Sequence, residues 1–132
     1  MRIDKKKILI IAVVFIVLAG LIFILRSQED DWIKDSRGVW VKHGAPSSTP
    51  DEVLNQQNAI ECANNLYNGE MDKGSEFDSQ CLGSCYDFAV DIVHVPRSDE
   101  DNLVENQCEA YRSGQVNHFI ELDKEGNIVR IV

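Results

Sequence analysis

The sequence lacks the residue patterns by which many enzymes are recognised. It contains no Cys-x-x-Cys pair and no Gly-x-Ser-x-Gly elbow, so neither thioredoxin-like redox chemistry nor a hydrolase nucleophile has its usual signature. No Cys-x-x-Cys-His occurs for covalent haem attachment, and Gly69, Gly74 and Gly83 form no phosphate-binding loop. We therefore expect no catalytic residue, no cofactor and no metal ligand, and we predict that the protein is not an enzyme.

Basic residues are scarce beyond residue 25. From residue 26 onward the chain has 9 Lys and Arg against 21 Asp and Glu, which leaves a formal charge of −12. Nucleic acids and anionic lipid surfaces both attract basic patches, so this balance excludes a nucleic-acid partner and a domain that lies flat on the membrane. About a hundred residues suffice for one domain with a modest core.

The chain has one long apolar run. The 18 residues from 8 to 25 include no charge and no side chain that forms hydrogen bonds, and as a helix they would cover roughly 27 Å, close to the thickness of a bilayer core. A cleaved signal peptide is the alternative, but its apolar part is usually shorter and ends in small residues. Here the run ends in Ile22-Phe23-Ile24-Leu25. We therefore predict an uncleaved transmembrane anchor.

The charges on either side of the run predict its orientation. Arg2, Lys5, Lys6 and Lys7 precede it against one acid, Asp4, whereas three acids follow within six residues of its end. Basic residues stay on the cytoplasmic side, so the N-terminus is expected inside the cell. The predicted organisation is a cytoplasmic tip (1–7), a transmembrane helix (8–25), a linker (26–31) and an extracytoplasmic domain (32–132).

The cysteines all fall in the part of the chain that is expected outside the cytoplasm. An even number of cysteines in a small exported domain predicts disulfides, here two. We favour Cys62–Cys81 with Cys85–Cys108, because each pair would tie a helix to the loop before the central strand; closure of Cys81 on Cys85 is the main alternative. Zinc is less favoured, because the three-residue spacing from Cys81 to Cys85 is loose for a zinc site.

Turn and capping signals divide the domain into elements. Residues 32–34 and 39–41 flank a turn and predict a hairpin. Thr49, Pro50 and Glu52 predict a capping box, followed by an amphipathic helix that ends at Asn68-Gly69.

Residues 70–85 are expected to form a loop, and residues 86–95 alternate as a central strand. A second helix is predicted from Ser98 to Ser113, and a hairpin is predicted from residues 116–122 and 128–132. The predicted fold class is α+β, with a small antiparallel sheet and two helices packed on one of its faces.

Two histidines are the weak candidates for chemistry. His94 lies at a strand end and His118 within a strand, where hydrogen-bonded structural histidines are common. A base role for His94 with Ser84 and Asp91, or for His118 with Cys85, has no local motif in its favour.

The layout of a basic tip, an apolar helix and a small disulfide-bonded domain resembles type IV pilin-like proteins in architecture. The pilin processing site is missing at residues 5–8, and residues 8–25 contain no acid. Residues 32–35 and the terminal stretch 119–122 look like those of uncharacterised, small, single-pass membrane proteins of prokaryotes, a resemblance that implies no known activity.

Three functions follow as hypotheses. The first is a membrane-tethered extracytoplasmic interaction or structural module without catalysis, whose protein partner the sequence does not identify. The second is a pilin-like subunit of a surface filament or secretion assembly. The third is a small enzyme or metal-binding protein that uses His94 or His118.

Overall fold

A computed structural model describes residues 5–27 and 31–132. Part of the predicted cytoplasmic tip (1–4) and part of the predicted linker (28–30) therefore lie outside the described residues. The chain divides into two compact units, Met1–Ile33 with Lys42–Ser48, and Lys34–Val41 with Thr49–Val132. The fold class is α+β, as predicted.

The apolar run forms helix α1, Lys5–Ser27. Its side chains from residue 8 to residue 25 are all exposed, on every side of the helix. Among the described residues it is the one helix that is long and apolar enough to cross a membrane, on length and composition. A helix that is apolar all round suits a lipid environment.

The first predicted hairpin is confirmed as strands β1, Asp31–Lys34, and β2, Trp40–His43. The Asp35 carboxylate shapes its turn, because it accepts hydrogen bonds from the backbone N–H groups of Arg37 at 2.9 Å and Val39 at 3.0 Å. Buried Gln56 then ties the hairpin to the next helix: its side chain accepts from the Trp40 N–H and donates to the Gly38 carbonyl.

The predicted amphipathic helix is helix α2, Asp51–Asp72, but both of its predicted ends are wrong. Pro50 is the N-cap and no side chain caps the helix, so the capping box of Thr49 and Glu52 does not form. At the other end the helix continues beyond Asn68-Gly69, because a different glycine ends it. Gly74 has a φ of +74° and donates to the Met71 carbonyl at 2.9 Å.

A four-stranded sheet in the order β3-β4-β5-β6 forms the centre of the domain. Its strands are β3 (Gln80–Cys85), β4 (Phe88–Ile92), β5 (His118–Leu122) and β6 (Ile128–Ile131). The central strand and the terminal hairpin are confirmed. The wholly antiparallel sheet is wrong, because β4 and β5 are parallel; the long connection between them returns the chain to the starting end of β4. The loop predicted at 70–85 is wrong at both ends, because α2 continues to Asp72 and β3 begins at Gln80.

Helix α2 covers one face of this sheet. The contact buries the apolar side chains that alternate along β4, β5 and β6, together with two alanines of α2. The buried members of this core are Ala59, Ala63, Cys85, Phe88, Val90, Ile92, Ile120, Leu122 and Ile131.

The opposite face is covered by the connection from β4 to β5, residues 93–117, which we call the covering segment. The second helix predicted from Ser98 to Ser113 is wrong. Ser98 does form a capping box with Asp101, but the helical turns it starts stop at Leu103, whose backbone is extended. The segment contains two 3-10 turns, Asp99–Asn102 and Val104–Asn106, and the one-turn helix α3, Glu109–Arg112. Two long helices on one face are therefore replaced by α2 on one face and an irregular segment on the other.

The four cysteines form two disulfides, Cys62–Cys85 and Cys81–Cys108. The predicted pairing is wrong because β3 contains a bulge. Cys81 lies opposite Asp91 and Gly83 lies opposite Val90, so Leu82 is an extra residue in the ladder. The extra residue sends Cys85 to the face of α2 and Cys81 to the face of the covering segment.

This arrangement predicts the crosslinks that peptide mapping should find. Digestion of the oxidised protein without reductant should release one peptide pair that joins Cys62 to Cys85 and another that joins Cys81 to Cys108. Each crosslink is expected to contribute about 3–4 kcal/mol to the free energy of unfolding, since each closes a loop of more than 20 residues. A pair that joins Cys62 to Cys81 would contradict the bulged register.

Gly38, the glycine of the turn between β1 and β2, is expected to tolerate substitution poorly. Its φ is +83°, and a Cβ there would overlap the Ile131 carbonyl oxygen. Gly74 is a matched control, because it has a φ of +74° with open space around its Cα. Both alanine variants should lose about 1 kcal/mol from backbone strain, and Gly38→Ala should lose about 2 kcal/mol more from the overlap. Equal losses in chemical denaturation would show that the turn does not pack on β6.

Candidate functional site

A row of side chains crosses the sheet on the face of the covering segment: the Cys81–Cys108 disulfide on β3, followed by three charged residues. The register places Cys81 opposite Asp91, Asp91 opposite Glu121, and Glu121 opposite Arg130, so one residue from each strand joins the row. Glu121 is the buried member of this row and Asp91 is partly buried, and charges in such positions have to be neutralised within the protein.

A cleft of about 170 Å³ opens beside this row, between the sheet and the covering segment. Its walls combine charged and aromatic side chains. Those that define its chemistry are Asp91, Arg97, Tyr111, Phe119, Glu121 and Arg130.

Glu121 organises the charges of the cleft. Its side chain is only 6% exposed, and two arginines neutralise it. Arg97 Nη1 lies 2.5 Å from Glu121 Oε1, while Arg130 donates to both carboxylate oxygens at 3.0 and 3.1 Å. The Arg130 guanidinium also lies over the ring of Phe119, 5.0 Å from its centroid. Both guanidinium groups are therefore held in place at the wall of the cleft.

Asp91 is the acid of the cleft without a direct ion-pair partner among the described contacts. Its Oδ1 accepts a hydrogen bond from the backbone N–H of Cys108 at 3.2 Å. Burial raises the pKa of Asp91 to about 6; the Glu121 carboxylate adds to the rise, and the Cys108 N–H and Arg97 oppose it. The carboxyl group therefore changes its charge near neutral pH, which alters the electrostatics of the cleft.

His94 lies two residues after β4 and is held between two carboxylates. Its Nδ1 lies 2.9 Å from Asp101 Oδ1, and its Nε2 lies 2.7 Å from Asp78 Oδ1. The hydrogen bond to Asp101 raises the pKa of His94. Burial acts to raise the pKa of Asp101, but the backbone N–H groups of Ser98 and His94 outweigh it and hold that pKa at about 2.

The structure places His118 away from His94. His118 pairs with Phe88 at the start of β4, whereas His94 follows the end of that strand, so the two histidines lie at opposite ends of the parallel pair. His118 is half exposed, its ring stacks on Phe88, and its Nε2 lies 3.8 Å from Asp87. Cys85 is disulfide-bonded and therefore cannot act as a nucleophile with His118 as its base.

Sequence reasoning named Asp91 only as a weakly supported partner of His94, and it did not identify Glu121. Asp91 and Glu121 each interrupt an otherwise apolar strand, and this interruption is the local signal that marks them. The two acids lie side by side because β4 and β5 pair in parallel, which no local pattern predicts, whereas Arg130 meets Glu121 within the terminal hairpin.

Comparisons of the chain with protein families, with curated proteins and with solved structures found no match. The function has to be inferred from the residues and their geometry.

The charge of Asp91 should make folding stability depend on pH. An acid whose pKa is raised on folding stabilises the folded state below its unfolded pKa, near 3.8, and this contribution is lost as the pH rises through about 6. Asp91→Asn should therefore gain stability relative to the wild type between pH 4 and pH 7, by about 3 kcal/mol or less. Urea denaturation at several pH values measures the difference.

Glu76→Gln, at an exposed acid in the loop between α2 and β3, is the control, because it removes the same charge at a position where burial does not oppose it. A gain for Asp91→Asn that is the same at pH 4 and pH 7 would show that Asp91 has no raised pKa.

Proposed function

We propose that the protein is a membrane-tethered interaction module, with its disulfide-bonded domain outside the cytoplasm and no catalysis of its own. The observation that carries this proposal is α1, whose apolar side chains from residue 8 to residue 25 are exposed on every side. Such a surface is unfavourable in water by about 25 cal/mol per Å², and a bilayer removes that cost.

The cysteines support the location of the domain. Structural disulfides persist in oxidising compartments and are rare in the cytosol, and all four cysteines are in disulfides. Basic residues before the apolar run (8–25) and acidic residues after it favour the same orientation, with the N-terminus inside.

The cleft supports a binding role. Its guanidinium groups are fixed by Glu121 and its aromatic side chains contact each other, with the rings of Tyr111 and Phe119 edge to face at 5.1 Å. Binding sites are usually preformed and concave, with a few fixed polar groups, and a volume of about 170 Å³ suits a single peptide side chain better than a larger small-molecule ligand.

The orientation can be tested with the full-length protein in its native membrane. Protease added to intact spheroplasts should remove the domain and leave a fragment that contains α1. A variant with Lys5→Glu, Lys6→Glu and Lys7→Glu should lose part of this sensitivity, because the orientation depends on the basic flank.

Full protection of the wild-type domain in intact spheroplasts, with cleavage only after lysis, would contradict the proposal. The pilin-like alternative has a separate readout. Detergent extraction should give a monomer if α1 is a tether, and oligomers held together by α1 would favour a filament subunit instead.

A further inference from the structure

We propose that Asp78, His94 and Glu100 bind zinc or a neighbouring first-row divalent cation at the edge of the covering segment. This site goes beyond the proposed tether and does not depend on the orientation of the domain. It rests on the geometry of three side chains from three segments: the loop before β3, the chain after β4, and the first 3-10 turn.

The three side chains converge on one point. One ligand atom from each, a carboxylate oxygen or an imidazole nitrogen, lies within 4.8 Å of the other two. Around a tetrahedral zinc ion with bonds of about 2.0–2.2 Å, ligand atoms lie roughly 3.3–3.6 Å apart. Asp78 and Glu100 are exposed, so their side chains can adjust over this distance without disturbing the core.

A buried carboxylate holds the imidazole in the orientation that binding requires. The Asp101 side chain is 0% exposed, and it accepts hydrogen bonds from the backbone N–H groups of Ser98 at 2.8 Å and His94 at 3.1 Å. Its Oδ1 also lies 2.9 Å from His94 Nδ1. With the Nδ1 proton donated to Asp101, Nε2 is left to face Asp78, whose Oδ1 lies 2.7 Å away. Histidines that bind metals usually donate their other ring N–H to a carboxylate in this way.

The donor set indicates the class of cation. Imidazole nitrogen with carboxylate oxygens suits zinc and neighbouring first-row divalent ions, whereas magnesium and calcium prefer oxygen ligands alone. Three protein ligands leave a coordination position for water or for a group on a partner. Lys124 Nζ lies 3.4 Å from Asp78 Oδ1, and its positive charge would repel the cation. The other carboxylate oxygen of Asp78, Oδ2, is a second atom that can bind the cation.

A second group of possible ligands is not a metal site. Cys81, Asp91 and Cys108 also lie close together, but both sulfurs are in one disulfide and cannot supply thiolates. The competing account of the first cluster is an ion pair alone, in which a protonated His94 bridges Asp78 and Asp101.

The test uses the full-length protein in detergent, freed of metal with a chelator and titrated with zinc chloride by calorimetry. One saturable site per chain is expected. Glu100→Gln and His94→Gln should each weaken binding at least tenfold, as should Asp101→Asn, since removal of the partner that orients a histidine commonly costs 10–100-fold in affinity.

His118→Gln is the matched control. His118 also faces an acid, Asp87 at 3.8 Å, but neither residue belongs to a group of three possible ligands among the described residues. Its affinity for zinc should equal that of the wild type. Circular dichroism and the count of free thiols check that each variant is folded. If His94→Gln does not fold, the zinc affinities of Glu100→Gln and Asp78→Asn, which change exposed residues, test the proposal instead.

Cobalt supplies a second readout. Its visible absorption should show a low-symmetry, four- or five-coordinate ion in the wild type and in His118→Gln, and this spectrum should be lost in Glu100→Gln. The absence of a saturable zinc site, or a site that keeps its affinity in both Glu100→Gln and His94→Gln, would overturn the proposal and leave the ion pair as the account of the cluster.

Discussion

The central constraint on this structure is that both faces of its four-stranded sheet have to be covered, whereas the domain has one long helix, α2, which covers one face. Helix α2 covers one face, and nine buried residues form the core beneath it. The other face has a cluster of only three buried residues, Ala89, Cys108 and Val116. Apolar burial contributes in proportion to area, so the covering segment receives much less hydrophobic stabilisation than α2.

Other interactions make up the difference on the second face. The Cys81–Cys108 disulfide attaches the middle of the covering segment to β3. Arg97 and the Cys108 N–H attach the segment to Glu121 of β5 and Asp91 of β4. Because this face is not closed by large apolar side chains, it can hold the ion pairs of Glu121 and the cleft beside them. The weakly packed face is thus also the one on which a binding site can form.

Local patterns predicted most of the helices and strands, but they missed β3, predicted a long helix in the covering segment, and predicted the assembly poorly. The apolar helix, α2, the central strand and both hairpins follow from periodicity and turn residues that act over a few positions. The parallel pairing of β4 with β5 and the bulge at Leu82 depend on packing between distant segments, and they decide which cysteines meet. Of the candidate site, His94 was singled out from the sequence, but its setting between Asp78 and Asp101 was not foreseen.

The central claim is that the covering segment is held by the Cys81–Cys108 crosslink and polar contacts rather than by a core of its own. Hydrogen exchange read by mass spectrometry on the folded, full-length protein tests it directly. In the double variant Cys81→Ser and Cys108→Ser, residues 93–117 should exchange much faster while α2 and β4 stay protected. Unchanged protection of residues 93–117, or equal loss across α2 and the sheet, would contradict the claim.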